Sequence, residues 1–262
     1  MLSPIATTRL EKVAADNGFD LELPGTGEWL AFSSSQTPLH IWLTALDTPA
    51  SCAYLAALSR IDVLHALTDH GVDYSAPLPG TAAGIRRFDD ISGLHNLLRR
   101  AFQLARSLPD ELLHDFEKST SQLPRTTEAE RWVIQRVGQD IFRRGLLEYW
   151  DGRCALTGLS ISELLRASHI KPWAECASDI ERLDVFNGLL LAPHFDAAFD
   201  AGFITIANDG SVLASDALSD HDRVLLGLNQ ALRIRGLRRQ HEHYLTWHRS
   251  RVFKKTHGLP LP

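Results

Sequence analysis

The chain has 262 residues, 44% of them hydrophobic, three cysteines and a formal net charge of −5. That length and apolar share suffice for a full core in two domains, while no apolar run approaches the roughly 20 residues of a membrane-spanning helix. Three cysteines exclude a disulfide framework and, with an N-terminus that lacks the basic-then-apolar layout of a leader, point to a reducing cytoplasm.

In chain order, residues 28–32 and 39–43 read as strands around a polar segment, and residues 54–58 fit a strand or a helix equally well. Helical spacing runs from Ile61 to His70, before Gly71. A second helix over 94–108 stops at Pro109, and a third covers about 109–118. Residues 119–127 are polar with one proline and read as a linker. Thr127-x-x-Glu130 is a capping box that opens a long helix toward Tyr149.

Further on, Arg166 to Ile170 reads as a short strand ending at Lys171-Pro172. His169 is thereby placed at its end or turn. Asn187-Gly188 is a turn signal that leads into a buried apolar run. Pro193 suits the first turn of a helix, on which Asp196 and Asp200, four apart, share a face; Gly202 ends it. Residues 203–206 and 211–213 follow as strands around Asn208-Asp209-Gly210. The expected architecture is α+β: a mixed α/β domain (1–118), the linker (119–127), a C-terminal ββα domain with a basic segment (128–255) and a tail (256–262).

The charge is unevenly spread. Residues 1–122 hold nine Lys/Arg against fifteen Asp/Glu, whereas residues 223–255 hold nine Lys/Arg against Glu242 alone. A basic segment of that kind meets phosphates and makes binding salt-dependent. Lys171, Arg233, Arg235, Arg238, Arg239, Arg249 and Arg251 are therefore the expected nucleic-acid contacts. His241-Glu242-His243 is no zinc-protease motif, because Leu245 stands where the closing histidine would be. Cys154 reads as a small core residue, and Trp173 as a hydrophobic staple rather than a base-stacking ring.

The blocks Cys154-Ala155-Leu156-Thr157-Gly158, Ala167 to Trp173, Asn187 to Leu191 and Phe199 to Gly202, in that order and with compatible gaps, resemble the HNH endonucleases over about residues 130–255. The resemblance implies a ββα-metal fold that cuts phosphodiester bonds in DNA and leaves 5′-phosphate ends. Residue by residue it implies His169 as general base, Asn187 as the brace of the loop, and Asp196 as a ligand of one divalent ion. A carboxylate there favours Mg²⁺ or Mn²⁺, with His194 or Asp200 as the companion ligand. Ser168 stands where many relatives carry an acidic residue or a histidine, and paired Cys-x-x-Cys motifs are absent.

The resulting expectation is a cytoplasmic, metal-dependent DNA endonuclease, in restriction or defence, with no membrane partner. Its acidic N-terminal domain would select the target, bind a protein partner or mediate homodimerisation. The alternatives are a decayed finger that binds or regulates DNA without cutting it, and a structure-specific or RNA-directed nuclease.

Overall fold

The computed structural model describes residues 2–48, 51–124, 126–234 and 236–254. The chain is a mixture of helix and sheet and divides into two compact units, 1–106 and 107–262.

The first unit opens with α1 (Pro4–Asp16), whose Ser3 hydroxyl accepts the Ala6 amide at 3.2 Å. The cap satisfies one of the unpaired donors of the first turn. Next come β1 (Leu21–Thr26), β2 (Trp29–Ser33), β3 (Ile41–Thr48), β4 (Ser51–Leu58), α2 (Ile61–Ala66), β5 (Val72–Asp73), β6 (Gly84–Phe88) and α3 (Ile91–Ser107). The strands form one antiparallel sheet in the order β1-β2-β3-β4-β6-β5.

One face of that sheet carries the cross-strand row Ala31, Trp42, Ala57 and Ile85, part of one buried cluster with Leu55 and Ala82. The segment 54–58, open between strand and helix in the sequence, is strand because it lies between β3 and β6. The helix expected over 61–70 ends at Ala66: the Leu67 amide turns back to the Leu64 carbonyl at 3.1 Å, and the chain feeds β5 instead. Neither α1 nor β1 was expected from the sequence.

The second unit contains α4 (Pro109–Thr120), α5 (Glu128–Tyr149), β7 (Arg166–His169), α6 (Asp179–Leu183), β8 (Gly188–Leu191), α7 (Pro193–Asp200), β9 (Ile204–Ile206), β10 (Val212–Ala214), α8 (Asp220–Leu225) and α9 (Glu242–Arg251). α4 packs on α5, so the compact unit begins ahead of the 119–127 segment rather than after it. At the start of α5, Thr127 and Glu130 form the capping box in both directions.

Two short ladders organise the rest. β7 pairs antiparallel with β8, Ser168 opposite Leu189 and His169 opposite Gly188. β9 pairs antiparallel with β10. α5 packs against β7 and β8, and α7 packs against β7 and β9, giving a β-hairpin with a long loop followed by a helix. Among the described residues no helix is long and apolar enough to cross a membrane.

Candidate active site

Successive side chains of a strand point to opposite faces, and β7 uses both. Ser168 is buried toward α7, where its hydroxyl donates to Asp200 Oδ1 at 3.2 Å. His169 points the other way and stacks on Phe142 of α5, ring centroids 3.8 Å apart at 15°. The edge of the His169 ring meets Trp173 at 5.7 Å.

The orientation of His169 is fixed by one hydrogen bond. Its Nε2 lies 2.9 Å from the carbonyl oxygen of Arg182. A carbonyl only accepts, so Nε2 carries the proton and the neutral ring keeps Nδ1 as a lone-pair nitrogen. Burial pushes the imidazole down to about 4, against a smaller upward pull from the Arg182 carbonyl. The ring is therefore an unprotonated base throughout the neutral range.

The carbonyl that holds His169 belongs to the loop between β7 and β8, and Asn187 ties that loop together. Asn187 is fully buried. Its Oδ1 accepts the Lys171 amide at 2.8 Å, and its Nδ2 donates to the Lys171 and Glu181 carbonyls, both at 3.1 Å. The same Nδ2 lies 3.4 Å from the Cys176 sulfur. The Arg182 guanidinium reinforces the loop from within, donating to the Trp173 carbonyl at 3.3 Å, the Cys176 carbonyl at 2.9 Å and Asp179 at 2.9 Å. Arg143 clamps the approach to β7 through the Ser162 and Leu165 carbonyls at 2.8 and 2.7 Å.

Asp196 and Asp200 sit one turn apart on α7. Burial raises the pKa of each; the Asp196 charge raises Asp200 further, while Ser168 pulls both back down. A single hydroxyl proton cannot serve two carboxylates at once; the Arg166 charge offsets part of the negative charge at Asp196, and none of the causes at Asp200 is a cation. Two carboxylates beside a hydroxyl are a hard-oxygen donor set, suited to Mg²⁺ or Mn²⁺, which commonly takes one or two protein carboxylates and completes its shell with water and phosphate. His194 is exposed at the start of α7, its ring against Phe195 at 4.1 Å. Among the described residues no group of three or more His, Cys, Asp or Glu side chains is placed to hold a metal ion.

Ser168, His169, Trp173 and Asp200 line one cleft of about 350 Å³. His248 of α9 also lines it, a residue not singled out from the sequence. It is 1% exposed, donates from Nε2 to the Phe199 carbonyl at 3.1 Å, and pairs through Nδ1 with the Thr205 hydroxyl at 2.9 Å. With both nitrogens engaged, His248 anchors the last turn of α7, which carries Asp200. Phe142, Arg143 and Arg182 were likewise missed, because their contacts are long-range and no local motif announces them.

The basic residues fall into three groups. Lys171 is ion-paired with Glu181 at 2.8 Å. Arg249 donates to the Ile206 carbonyl at 2.7 Å and to Asn208 at 2.6 Å, fastening α9 to β9, and Arg233 donates to the Asp209 carbonyl at 2.7 Å. Arg239 and Arg251 are exposed and Arg238 is half-buried, while Arg235 lies outside the described residues.

Residues 154–207, which hold the hairpin, its loop, α7 and β9, match the HNH endonuclease family. No curated protein matches the chain. The match gives the second unit an HNH-like segment and points to a nuclease or nucleic-acid-related function for it.

Proposed function

From that HNH match, we propose that the protein is a metal-dependent endonuclease that hydrolyses phosphodiester bonds in DNA. The observation that carries this reading is the unprotonated Nδ1 of His169, whose ring is locked by the Arg182 carbonyl and lines a cleft shared with Ser168 and Asp200. His169 takes a proton from the attacking water through Nδ1, general-base catalysis of a kind that contributes about 10²- to 10⁴-fold. Nε2 keeps its own proton on the Arg182 carbonyl, so the ring cannot turn away as it becomes cationic. Asn187 positions that carbonyl by holding Glu181 and Lys171.

Asp196 and Asp200 would hold one divalent ion, with His194 as a further candidate ligand. When bound, such an ion supplies charge stabilisation to the phosphate and to the leaving oxygen. The expected products carry 5′-phosphates. The exposed Arg239 and Arg251 would meet the backbone. The acidic first unit would select the target, and restriction or defence in the cytoplasm is the context we favour.

Ser168 in place of a metal ligand favours a second reading, a decayed finger that binds nucleic acid without cutting it. Manganese titration of the full-length protein, followed by electron paramagnetic resonance, separates the two. The nuclease reading predicts one saturable Mn²⁺ site in the wild type that is lost in Asp196→Ala and in Asp200→Ala. No saturable site in the wild type would contradict it and favour the decayed finger.

A further inference from the structure

A second concavity, of about 620 Å³, opens where α5 ends. After Tyr149 the chain reverses through Asp151 and Gly152, both with positive φ (52° and 63°). The reversal lays the 154–158 loop against β8, with the Ala155 amide donating to the Leu190 carbonyl at 2.8 Å and the Ala192 amide to the Cys154 sulfur at 3.3 Å. Trp150, Arg153, Leu156, Thr157, Leu232 and Arg233 contribute to its walls.

Among the described residues, both charged members of this wall are arginines and no carboxylate lines it, in contrast to the cleft at His169 with its Asp200. Arg233 is oriented by the backbone of Asp209. Its nearest carboxylate, Asp209, is 3.8 Å away, with the two side chains 63% and 60% exposed, and an exposed pair at that distance neutralises little. Trp150 is 8% exposed, and its indole N–H has no hydrogen-bond partner among the described residues. Two cations and the apolar side chains of Leu156, Leu232 and the buried Trp150 suit an anionic phosphate attached to a sugar and base.

The position relative to the cleft is set by one helix. Phe142, which stacks on His169, and Trp150, which walls the concavity, are eight residues apart at the end of α5. At about 1.5 Å of rise per residue this is roughly 12 Å, or about three to four nucleotides along a strand of duplex. We propose that this concavity holds a backbone phosphate of the bound nucleic-acid strand, three to four nucleotides from the bond cut at His169, through Arg153 and Arg233. The assignment rests on the nuclease reading above and adds to it a second anchor that sets the register of the strand.

Binding without cutting tests it. A fluorescein-labelled DNA duplex is titrated in EDTA with full-length His169→Ala protein, by anisotropy over a salt series, and with the same protein carrying Arg153→Ala, Arg233→Ala or both. Lys118→Ala, at an exposed position of α4 outside both the concavity and the first unit, serves as a control, and circular dichroism checks each fold. The expected result is several-fold weaker binding, with a log–log salt slope smaller by about 0.9 per arginine removed and no change in the control. Unchanged affinity and slope in the double variant, while the duplex still binds, would overturn the phosphate site and leave the nuclease reading standing. No duplex binding by any of the proteins would overturn both. Tight binding of a free nucleoside monophosphate that the double variant loses, with duplex binding unaltered, would assign the concavity to a free nucleotide and likewise overturn the strand assignment.

Discussion

At the scale of single residues, the proposed chemistry depends on keeping one imidazole neutral and still. Burial holds His169 down near 4, so base availability does not limit the rate at neutral pH. On the acid side, cleavage should fall as His169 takes up its proton and as Asp196 and Asp200, both raised by burial, do the same and release the ion. The acid limb of a pH–rate profile should thus lie well below the ordinary histidine value of about 6.5, with its histidine part near 4, and be steeper than one proton; a single-proton limb centred near 6.5 would contradict the burial argument. Asn187→Ala leaves the Lys171 amide and the Lys171 and Glu181 carbonyls without their partner, at about 1–3 kcal/mol for each buried group left unsatisfied. It should lower kcat more than KM, because it loosens the loop at Glu181, next to the Arg182 carbonyl that aims His169; thermal denaturation alongside steady-state kinetics reads both effects. The residue types of this site were legible in sequence because the HNH blocks are local. The partners of His169 were not, since Phe142 and Arg182 reach it only after α5 and the loop have folded onto the hairpin.

At the scale of elements, two glycines let α5 lie close to the hairpin and its loop. Asn187-Gly188 read as a turn signal, but Gly188 is extended, with φ −146° and ψ 150°, and opens β8 directly after a short 3-10 turn. Its lack of a side chain matters for space: a Cβ there would lie 2.5 Å from Phe142 Cζ and 2.8 Å from the Leu146 methyls. Gly188→Ala should therefore displace the ring on which His169 stacks, cutting activity more than an equally destabilising change elsewhere in the unit. At Gly138 of α5 a Cβ would come within 2.3 Å of the Trp173 ring. Gly138→Ala should cost about 1–3 kcal/mol of overpacking, measurable by chemical denaturation, and an unchanged midpoint would show that the ring moves freely. Elements with strong local signals, such as α5 with its capping box and α7 with Pro193, were readable in advance. α1 was missed although Ser3-Pro4 caps a stripe of Ala6, Leu10, Val13 and Ala14. β1, mostly exposed and carrying Pro24 and Gly25, holds almost no strand signal at all.

At the scale of the whole molecule, three histidines of the second unit, His169, His241 and His248, are all pushed down to about 4 by burial. An unfolded chain protonates them near 6.5. Their folded-state values are depressed, so the unfolded state binds more protons below that point and the folded state loses stability. Stability should be flat above about pH 6.5 and decline as pH falls toward about 4, visible as a falling thermal midpoint. A constant midpoint across that window would mean that these rings protonate without unfolding.

Plasmid cleavage by the 262-residue chain, with Mg²⁺, Mn²⁺ or EDTA and beside His169→Ala, asks whether His169 and a divalent ion cut DNA. The expected result is metal-dependent nicking or linearisation by the wild type and a loss of about 10²-fold or more in the variant, with the variant still folded and still binding the plasmid. Cleavage by His169→Ala at the wild-type rate would contradict it.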